Sequence, residues 1–302
     1  MQEQQNEMLK GIILKGIGGF YYVKHEDSIY ECKARGIFKK RKITPLVGDR
    51  VSISIQSEEE KLGVIEEIHP RKLEMIRPSV ANVDQAVIVF SVKSPDPNIN
   101  LMDKLLAMCE YMGLNAVLCF NKFDLLKDDE FDHFYSMYEN AGYKVLKTST
   151  KINHGVDDLI TVLKDKISVF AGPSGVGKSS LLNNVQPGLK LKTGALSDKI
   201  KRGKHTTRHS ELIELATGGW VVDTPGFTSL DINYIELAEL DTLFREFRDF
   251  NNQCRFNNCM HISEPGCAVI EALDEGDIHP SRYESYKYFY NQITEHRRYK
   301  SW

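Results

Sequence analysis

Three short motifs occur along this chain in an order that few folds can accommodate. Asn121-Lys122-Phe123-Asp124 comes first, Gly172-Pro173-Ser174-Gly175-Val176-Gly177-Lys178-Ser179 follows, and Asp223-Thr224-Pro225-Gly226 comes last. The middle motif has the G-x-x-x-x-G-K-S/T form of a phosphate-binding loop. Such a loop needs a buried strand before it and a helix after it, because backbone N–H groups and a helix N-terminus together hold phosphate charge. The apolar run Ile167–Ala171 suits that strand, and Ser179-Ser180-Leu181-Leu182 can open the helix. Lys178 then reaches the β- and γ-phosphates as the catalytic cation, and the Ser179 hydroxyl binds Mg²⁺. A glycine-rich turn with a chance Lys-Ser is the plain alternative, and the strand context argues against it.

The phosphate loop does not name the base, because nucleotide kinases and ATP-driven machines carry similar loops. Asn121 to Asp124 must decide. The run Asn115–Phe120 is mostly apolar and ends at Asn121, as expected at the carboxyl end of a parallel strand, where ligands bind. The Asp124 carboxylate can accept from guanine N1–H and from the exocyclic amine, a pair of donors that adenine lacks. Losing a buried, charge-assisted pair costs several kcal/mol, enough to exclude ATP. Asn121 would hold N7 and bind neighbouring loops, and the stem of Lys122 would lie over the base or ribose. A polar loop capping a helix is the bland reading. Further on, Tyr143–Lys147 reads as a strand leading to Thr148-Ser149-Thr150-Lys151. GTPases usually show Ser-Ala-Lys here, with a backbone contact to the guanine oxygen. Ser149 and Thr150 are therefore candidate guanine contacts, and a Ser/Thr turn before a helix over Val156–Lys164 is the competing reading.

Downstream, Gly203-Lys204-His205-Thr206-Thr207 leads into an alternating strand, Glu211–Ala216, and a Gly218-Gly219 turn into Trp220–Asp223. That hairpin delivers Asp223 to the outer shell of Mg²⁺ and leaves the Gly226 N–H for the γ-phosphate. Thr206 or Thr207 would ligate Mg²⁺ when GTP is bound. Many GTPases place a water-orienting Gln after Asp-x-x-Gly; this chain has Phe227, so slow intrinsic hydrolysis is predicted. His205 is the candidate to orient water in its place, since imidazole can polarise or deprotonate it. The alternative is an exposed loop histidine.

Cys254, Cys259, His261 and Cys267 form a closed set of three thiolates and one imidazole, the composition of structural rather than catalytic zinc. A site of this kind contributes on the order of 10 kcal/mol to the folding of a small module. A disulfide pair or free thiols are the competing readings, and the scatter of the remaining cysteines, Cys32, Cys109 and Cys119, argues against disulfides. With no signal peptide and no apolar stretch approaching about 18 residues, a reducing cytoplasm and no membrane association are expected.

A chain of 302 residues with 41% apolar and 27% charged residues can form several domains. Residues 1–78 read as short strands, Gly11–Lys15, Gly19–Lys24, Ile29–Lys33, Asp49–Ile55 and Gly63–Ile68, punctuated by glycine bends. This pattern predicts a small Greek-key barrel of the OB type. Its basic run, Lys33 to Lys42, beside Tyr21, Tyr22 and Tyr30, reads as a phosphate-tracking and base-stacking surface or as a solvated loop. The net charge of −3 restricts any nucleic-acid contact to such local patches. Near the C-terminus, tyrosines at helical spacing between Tyr283 and Tyr290 must in part pack inward. The expected architecture is an OB-fold barrel over 1–78, a circularly permuted α/β P-loop GTPase domain over 79–232 and an α-helical zinc-binding domain over 233–302.

Together these motifs resemble one family, ribosome small subunit-dependent GTPase A, whose members are circularly permuted GTPases with a barrel before and a zinc domain after. The likeness runs from Gly19-Phe20 through Arg77-Pro78-Ser79-Val80-Ala81-Asn82-Val83-Asp84-Gln85, Asn121 to Asp124, Gly172 to Ser180, His205 to Thr207, Asp223 to Gly226 and the Cys/His set. Thr150 and a short N-terminal extension depart from it. The resemblance implies hydrolysis of GTP to GDP stimulated by the small (30S) ribosomal subunit, contacts to 16S rRNA and a late step in subunit maturation. One structural Zn²⁺, Mg²⁺ with GTP, a cytoplasmic location and a monomer are the corresponding expectations. A nucleotide kinase would leave Asn121 to Asp124 without a use, and an RNA-binding scaffold with a structural nucleotide would be consistent with Phe227. The permuted order also makes the stretch after Asp223 run through Leu230-Asp231-Ile232 into the C-terminal module, so loss of the γ-phosphate is expected to re-aim that module.

Overall fold

The computed structural model describes residues 8–76, 78–126, 132–188, 210–223 and 231–300. The barrel strands are β1 (Leu9–Ile17), β2 (Phe20–His25), β3 (Ser28–Ala34), β4 (Arg50–Ser57) and β5 (Leu62–Ile68), with a short helix α1 (Gly36–Lys40) between β3 and β4. All the expected barrel strands form. Two short strands follow, β6 (Glu74–Met75) and β7 (Val80–Ala81). Next come β8 (Gln85–Ser91), α2 (Ile99–Tyr111), β9 (Asn115–Asn121), α3 (Asp132–Asn140), β10 (Lys144–Lys147), α4 (Val156–Leu163), β11 (Ile167–Ala171) and α5 (Lys178–Val185). A hairpin of β12 (Glu211–Glu214) and β13 (Trp220–Asp223) precedes a run of 3₁₀ turns from Ile232 to Gln253. The helices Ala268–Glu275 and Pro280–Lys300 end the described chain.

The chain packs into two compact units. The first draws its described residues from 1–85, 160–170 and 210–223. Its barrel closes on itself, because β1 pairs antiparallel with both β2 and β4, β3 runs parallel to β5, and β5 pairs with β4. Closure removes the exposed strand edge that an open sheet would leave. Alternation puts Ile13, Val23, Tyr30, Cys32, Val51, Ile53 and Ile65 inside, with Phe38 of α1 added to the same core. The basic run therefore folds as one helical turn pinned by a single buried phenyl ring, with Lys39, Lys40, Arg41 and Lys42 left exposed. Outside the barrel, Asp49 is fully buried and held by Arg71 through two hydrogen bonds of 2.7 and 2.8 Å. Arg71 also donates to Thr44 O at 2.7 Å, so the segment after β5 is tied back to the loop before β4.

In the same unit, β13 runs parallel to β11 and antiparallel to β12. Gly218 and Gly219 both have φ near +89°, as a tight hairpin turn requires. A Cβ on Gly219 would lie 2.2 Å from Leu163 O, so no side chain fits there.

The second unit comprises 86–159, 171–191 and 228–302, in its described parts. Here β9 stands between β8 and β10, and β9 and β10 are parallel. Every residue of β8 is buried, and β9 is buried from Ala116 onward. Continuous apolar runs of this kind belong to strands covered on both faces. Asn98 caps α2, its Oδ1 accepting from Leu101 N at 2.9 Å. The C-terminal residues build an aromatic core of Phe244, Phe247, Tyr283, Tyr286, Phe289 and Ile293 that also takes in Ala107 and Met108 of α2. Arg282 is buried beside it, donating to Asp103 of α2 at 2.5 Å and to Glu246 at 2.5 and 3.2 Å. Of the C-terminal tyrosines, Tyr283 and Tyr286 pack inward and Tyr288 faces out.

Candidate nucleotide site and metal centre

The Asn121–Asp124 motif straddles the end of β9. Asn121 is buried, its main chain accepting from Val92 N at 2.9 Å. Its side chain does not project into the loop but donates Nδ2–H to Val176 O of the phosphate loop at 2.8 Å and accepts from Thr148 Oγ1 at 3.3 Å. A buried amide must satisfy both its donor and its acceptor, and this one does so by joining three segments. Gly177, with φ +97°, lies so close that a Cβ there would fall 2.3 Å from Asn121 Nδ2. Lys122 takes a left-handed φ of 62°, and its amine donates to Ser94 O.

Asp124 lies in the turn Phe123–Leu125, with its side chain 11% exposed. Ser149 Oγ donates to Asp124 Oδ1 at 2.5 Å, and Lys151 Nζ stands 3.6 Å from Oδ2. Ser149 is buried and lies in a closed loop: its N–H and C=O pair with His154 at 3.0 Å each way. The turn that competed with guanine contact for this segment therefore forms, and it carries Ser149 to the carboxylate. Thr150 is half-buried, its carbonyl accepting from Asn184 of α5 at 3.4 Å.

The phosphate loop joins β11 to α5. Gly172 has φ +132°, and a Cβ on it would sit 2.0 Å from Val89 O of β8. The first-turn N–H groups of α5, which begins at Lys178, have no intrahelical acceptors and face the loop. Ser179 is buried, Ser180 half-buried and Val176 buried, while Ser174 and Gly175 are exposed. Lys178 Nζ donates to Gly172 O at 2.8 Å and Pro173 O at 2.6 Å. Burial lowers the pKa of this amine to about 8. An amine so desolvated, facing carbonyls, gains strongly from an anion. Asp223 ends β13, paired with Glu211. His205, Thr206, Thr207, Gly226 and Phe227 lie outside the described residues.

The four metal-ligand candidates come together. Cys254 Sγ, Cys259 Sγ, His261 Nδ1 and Cys267 Sγ all lie within 4.8 Å of one another. Cys254 Sγ is 3.5 Å from His261 Nδ1 and 4.0 Å from Cys267 Sγ, and His261 Nδ1 is 3.3 Å from Cys267 Sγ. A tetrahedron with metal–sulfur bonds of about 2.3 Å has edges of about 3.8 Å. The set therefore fits one tetrahedral ion. Burial pushes the Cys259 thiol up to about 12, with the Cys267 sulfur adding to the rise, a cost that a dication reverses.

Several supporting groups were not legible in the sequence. Asp241 Oδ2 lies 3.5 Å from His261 Nε2, the carboxylate behind an imidazole that fixes its tautomer. Glu264 accepts from the N–H groups of Met260, Ile262 and Ser263 at 2.7 to 3.0 Å. Burial pushes its carboxyl up, but these N–H donors outweigh it and hold the pKa at about 2. Tyr283 and Tyr286 donate to His261 O and Met260 O at 2.8 and 2.7 Å. Only the Ser-Glu-Pro-Gly turn hinted at any of this; the tyrosines come from a helix beyond the motif.

A phosphate loop locked to an upstream Asn-Lys-x-Asp loop, in a chain that also folds a closed barrel from residues earlier in sequence, defines the class: a circularly permuted GTPase fold. A sequence model of the RsgA GTPase matches residues 68–233, and one of the RsgA N-terminal domain matches residues 10–65. The chain belongs to the RsgA GTPase family. The small ribosomal subunit biogenesis GTPase RsgA of Alkaliphilus metalliredigens is 51% identical over 292 residues, covering 97% of this chain and 100% of that protein. The protein of the same name from Caldanaerobacter subterraneus subsp. tengcongensis is 50% identical over 297 residues, covering 98% of this chain and all of that one. Among solved structures, YjeQ from Thermotoga maritima matches with a TM-score of 0.82 at 40% identity, over 95% of this chain and 99% of that one. YloQ, a circularly permuted GTPase, matches with a TM-score of 0.82 at 39% identity, over 98% and 99%. Among the described residues, no helix is long and apolar enough to cross a membrane.

Proposed function

We propose that this chain hydrolyses GTP to GDP and phosphate in the late maturation of the small ribosomal subunit, in the cytoplasm and as a monomer. The relatives are named as GTPases of small ribosomal subunit biogenesis. The observation that carries the nucleotide half is the hydrogen bond from Asn121 to Val176, which locks the base-reading loop onto the phosphate loop.

In this reading Asp124 accepts from guanine N1–H and the exocyclic amine, with Ser149 and Thr150 lining the base and the stems of Lys122 and Phe123 beside it. Backbone N–H groups of Gly172 to Ser180 cradle the phosphates. Lys178 exchanges its two carbonyl acceptors for phosphate oxygens, and its positive charge offsets the charge developing on the leaving group. Mg²⁺, when bound, neutralises phosphate charge and orients the γ-phosphate. Ser179, Asp223 and Thr206 or Thr207 would hold it, leaving the Gly226 N–H for the γ-phosphate. His205 orients the attacking water, and Phe227 keeps the reaction slow until the subunit is bound. Cys254, Cys259, His261 and Cys267 would hold a Zn²⁺ ion that braces the C-terminal module. Residues 1–78, 79–232 and 233–302 act as RNA-binding barrel, GTPase domain and zinc domain, the barrel meeting 16S rRNA through its exposed Lys39 to Lys42 run.

The test is GTP turnover with and without purified small subunits, with Lys178→Ala as the control and ATP as the competing substrate. Stimulation confined to GTP and lost in the variant is expected. A flat response to subunits would remove the ribosomal half of the reading, and equal use of ATP would remove the guanine half.

A further inference from the structure

The loop from Ser149 to Gly155 carries a histidine for which the nucleotide reading has no use. His154 is exposed, yet its ring stacks on Phe123 with centroids 5.4 Å apart and planes at 17°. Lys147 Nζ lies 6.0 Å from the centroid of the same Phe123 ring. The stack is one of several links between the two loops. Phe123 N donates to Thr148 O at 3.0 Å, Ser149 and His154 exchange backbone hydrogen bonds at 3.0 Å, and Ser149 Oγ donates to Asp124 Oδ1 at 2.5 Å. Gly155 closes the loop tightly: it has φ +66°, and a Cβ there would fall 1.9 Å from Lys147 O.

We propose that His154 is a positioning residue for base recognition, clasping Phe123 so that the Ser149 hydroxyl holds the Asp124 carboxylate at a fixed rotation. This rests on the guanine reading of Asp124. The physical reason is a difference in tolerance. A carboxylate that accepts two donors from one base edge needs its plane aligned with that edge, whereas a single hydrogen bond survives a modest rotation. His154 lies at the outer end of these links: its ring stacks on Phe123, the residue before Asp124, and its backbone pairs with Ser149. Without its ring, Phe123 loses a stacking partner and the loop carrying Ser149 loses one of its links to the Phe123–Asp124 turn.

The experiment is calorimetric titration of the full chain with GDP and with inosine diphosphate, which keeps N1–H but lacks the exocyclic amine. For His154→Ala we expect GDP affinity to fall about three- to tenfold, inosine diphosphate affinity to fall less, and the ratio between them to narrow. His154→Phe, which keeps a stacking ring, should restore the wild-type ratio. Equal losses for both nucleotides in His154→Ala, or an unchanged ratio, would overturn the clasp, as would a His154→Phe variant as defective as the alanine one. A wild-type chain that binds both nucleotides equally would instead overturn the guanine reading, and the clasp with it.

Discussion

The two sites of this chain are built in opposite ways. The candidate metal centre gathers its four potential ligands from one short stretch, Cys254 to Cys267, and its backbone is shaped by neighbours in that stretch, above all Glu264. The proposed nucleotide site draws on the loops that follow β9, β10 and β11, which are far apart in sequence and tied by side chains such as Asn121 and Ser149. A local site can lose its shape all at once when its ion leaves. An assembled site loses affinity link by link, because each hydrogen bond or stack contributes separately.

The largest effect should follow metal removal. Chelation, or Cys259→Ser, removes on the order of 10 kcal/mol of local stabilisation. Loss of the near-UV circular dichroism of the Phe247, Tyr283 and Tyr286 cluster is expected, because those rings pack beside His261. GDP affinity should change far less. Parallel loss of both signals would break the contrast between the two sites.

Next is Asp124→Asn. It exchanges an acceptor for a donor opposite guanine, so GDP affinity should fall about a hundredfold while xanthosine diphosphate gains. Titration with both nucleotides measures this, and unchanged preference would remove Asp124 from the base site. Asp241→Ala should be milder. Loss of a carboxylate behind a metal-bound imidazole typically costs about 10- to 100-fold in metal affinity. Competition with a chromogenic zinc chelator reads it out, and wild-type affinity would mean that Asp241 only fills space.

The smallest effect concerns pH. Burial lowers Lys178 from its ordinary 10.5 to about 8. In the free chain the amine is charged below that value and neutral above it, whereas bound phosphates hold it charged to higher pH. Binding therefore takes up a proton above about pH 8, and nucleotide affinity should fall, by at most about tenfold per pH unit. It should be flat below that point. Lys178→Arg should abolish the decline, because guanidinium does not titrate there. A profile flat through pH 9 in the parent chain would mean that the amine is not the group held by phosphate.

The sequence by itself determined the parts that depend on local order. Alternating short strands specified the barrel, apolar runs placed β9 and β11, and the Cys/His spacing selected its own cluster, since each rests on residues close along the chain. Even so, the basic run from Lys33 to Lys42 gave no sign of the helical turn that buries Phe38, because burial depends on a barrel interior made by other strands. What only the tertiary structure decided is how distant groups are satisfied. The motif reads Asn121 as holding the base and binding neighbouring loops, and the structure names the loop partners, Val176 and Thr148, that motif spacing could not. Asp241 behind His261, Ser149 on Asp124 and Arg282 between Asp103 and Glu246 have the same origin. Their pairings depend on which loops packing brings within hydrogen-bond distance, and no periodicity or motif spacing carries that information.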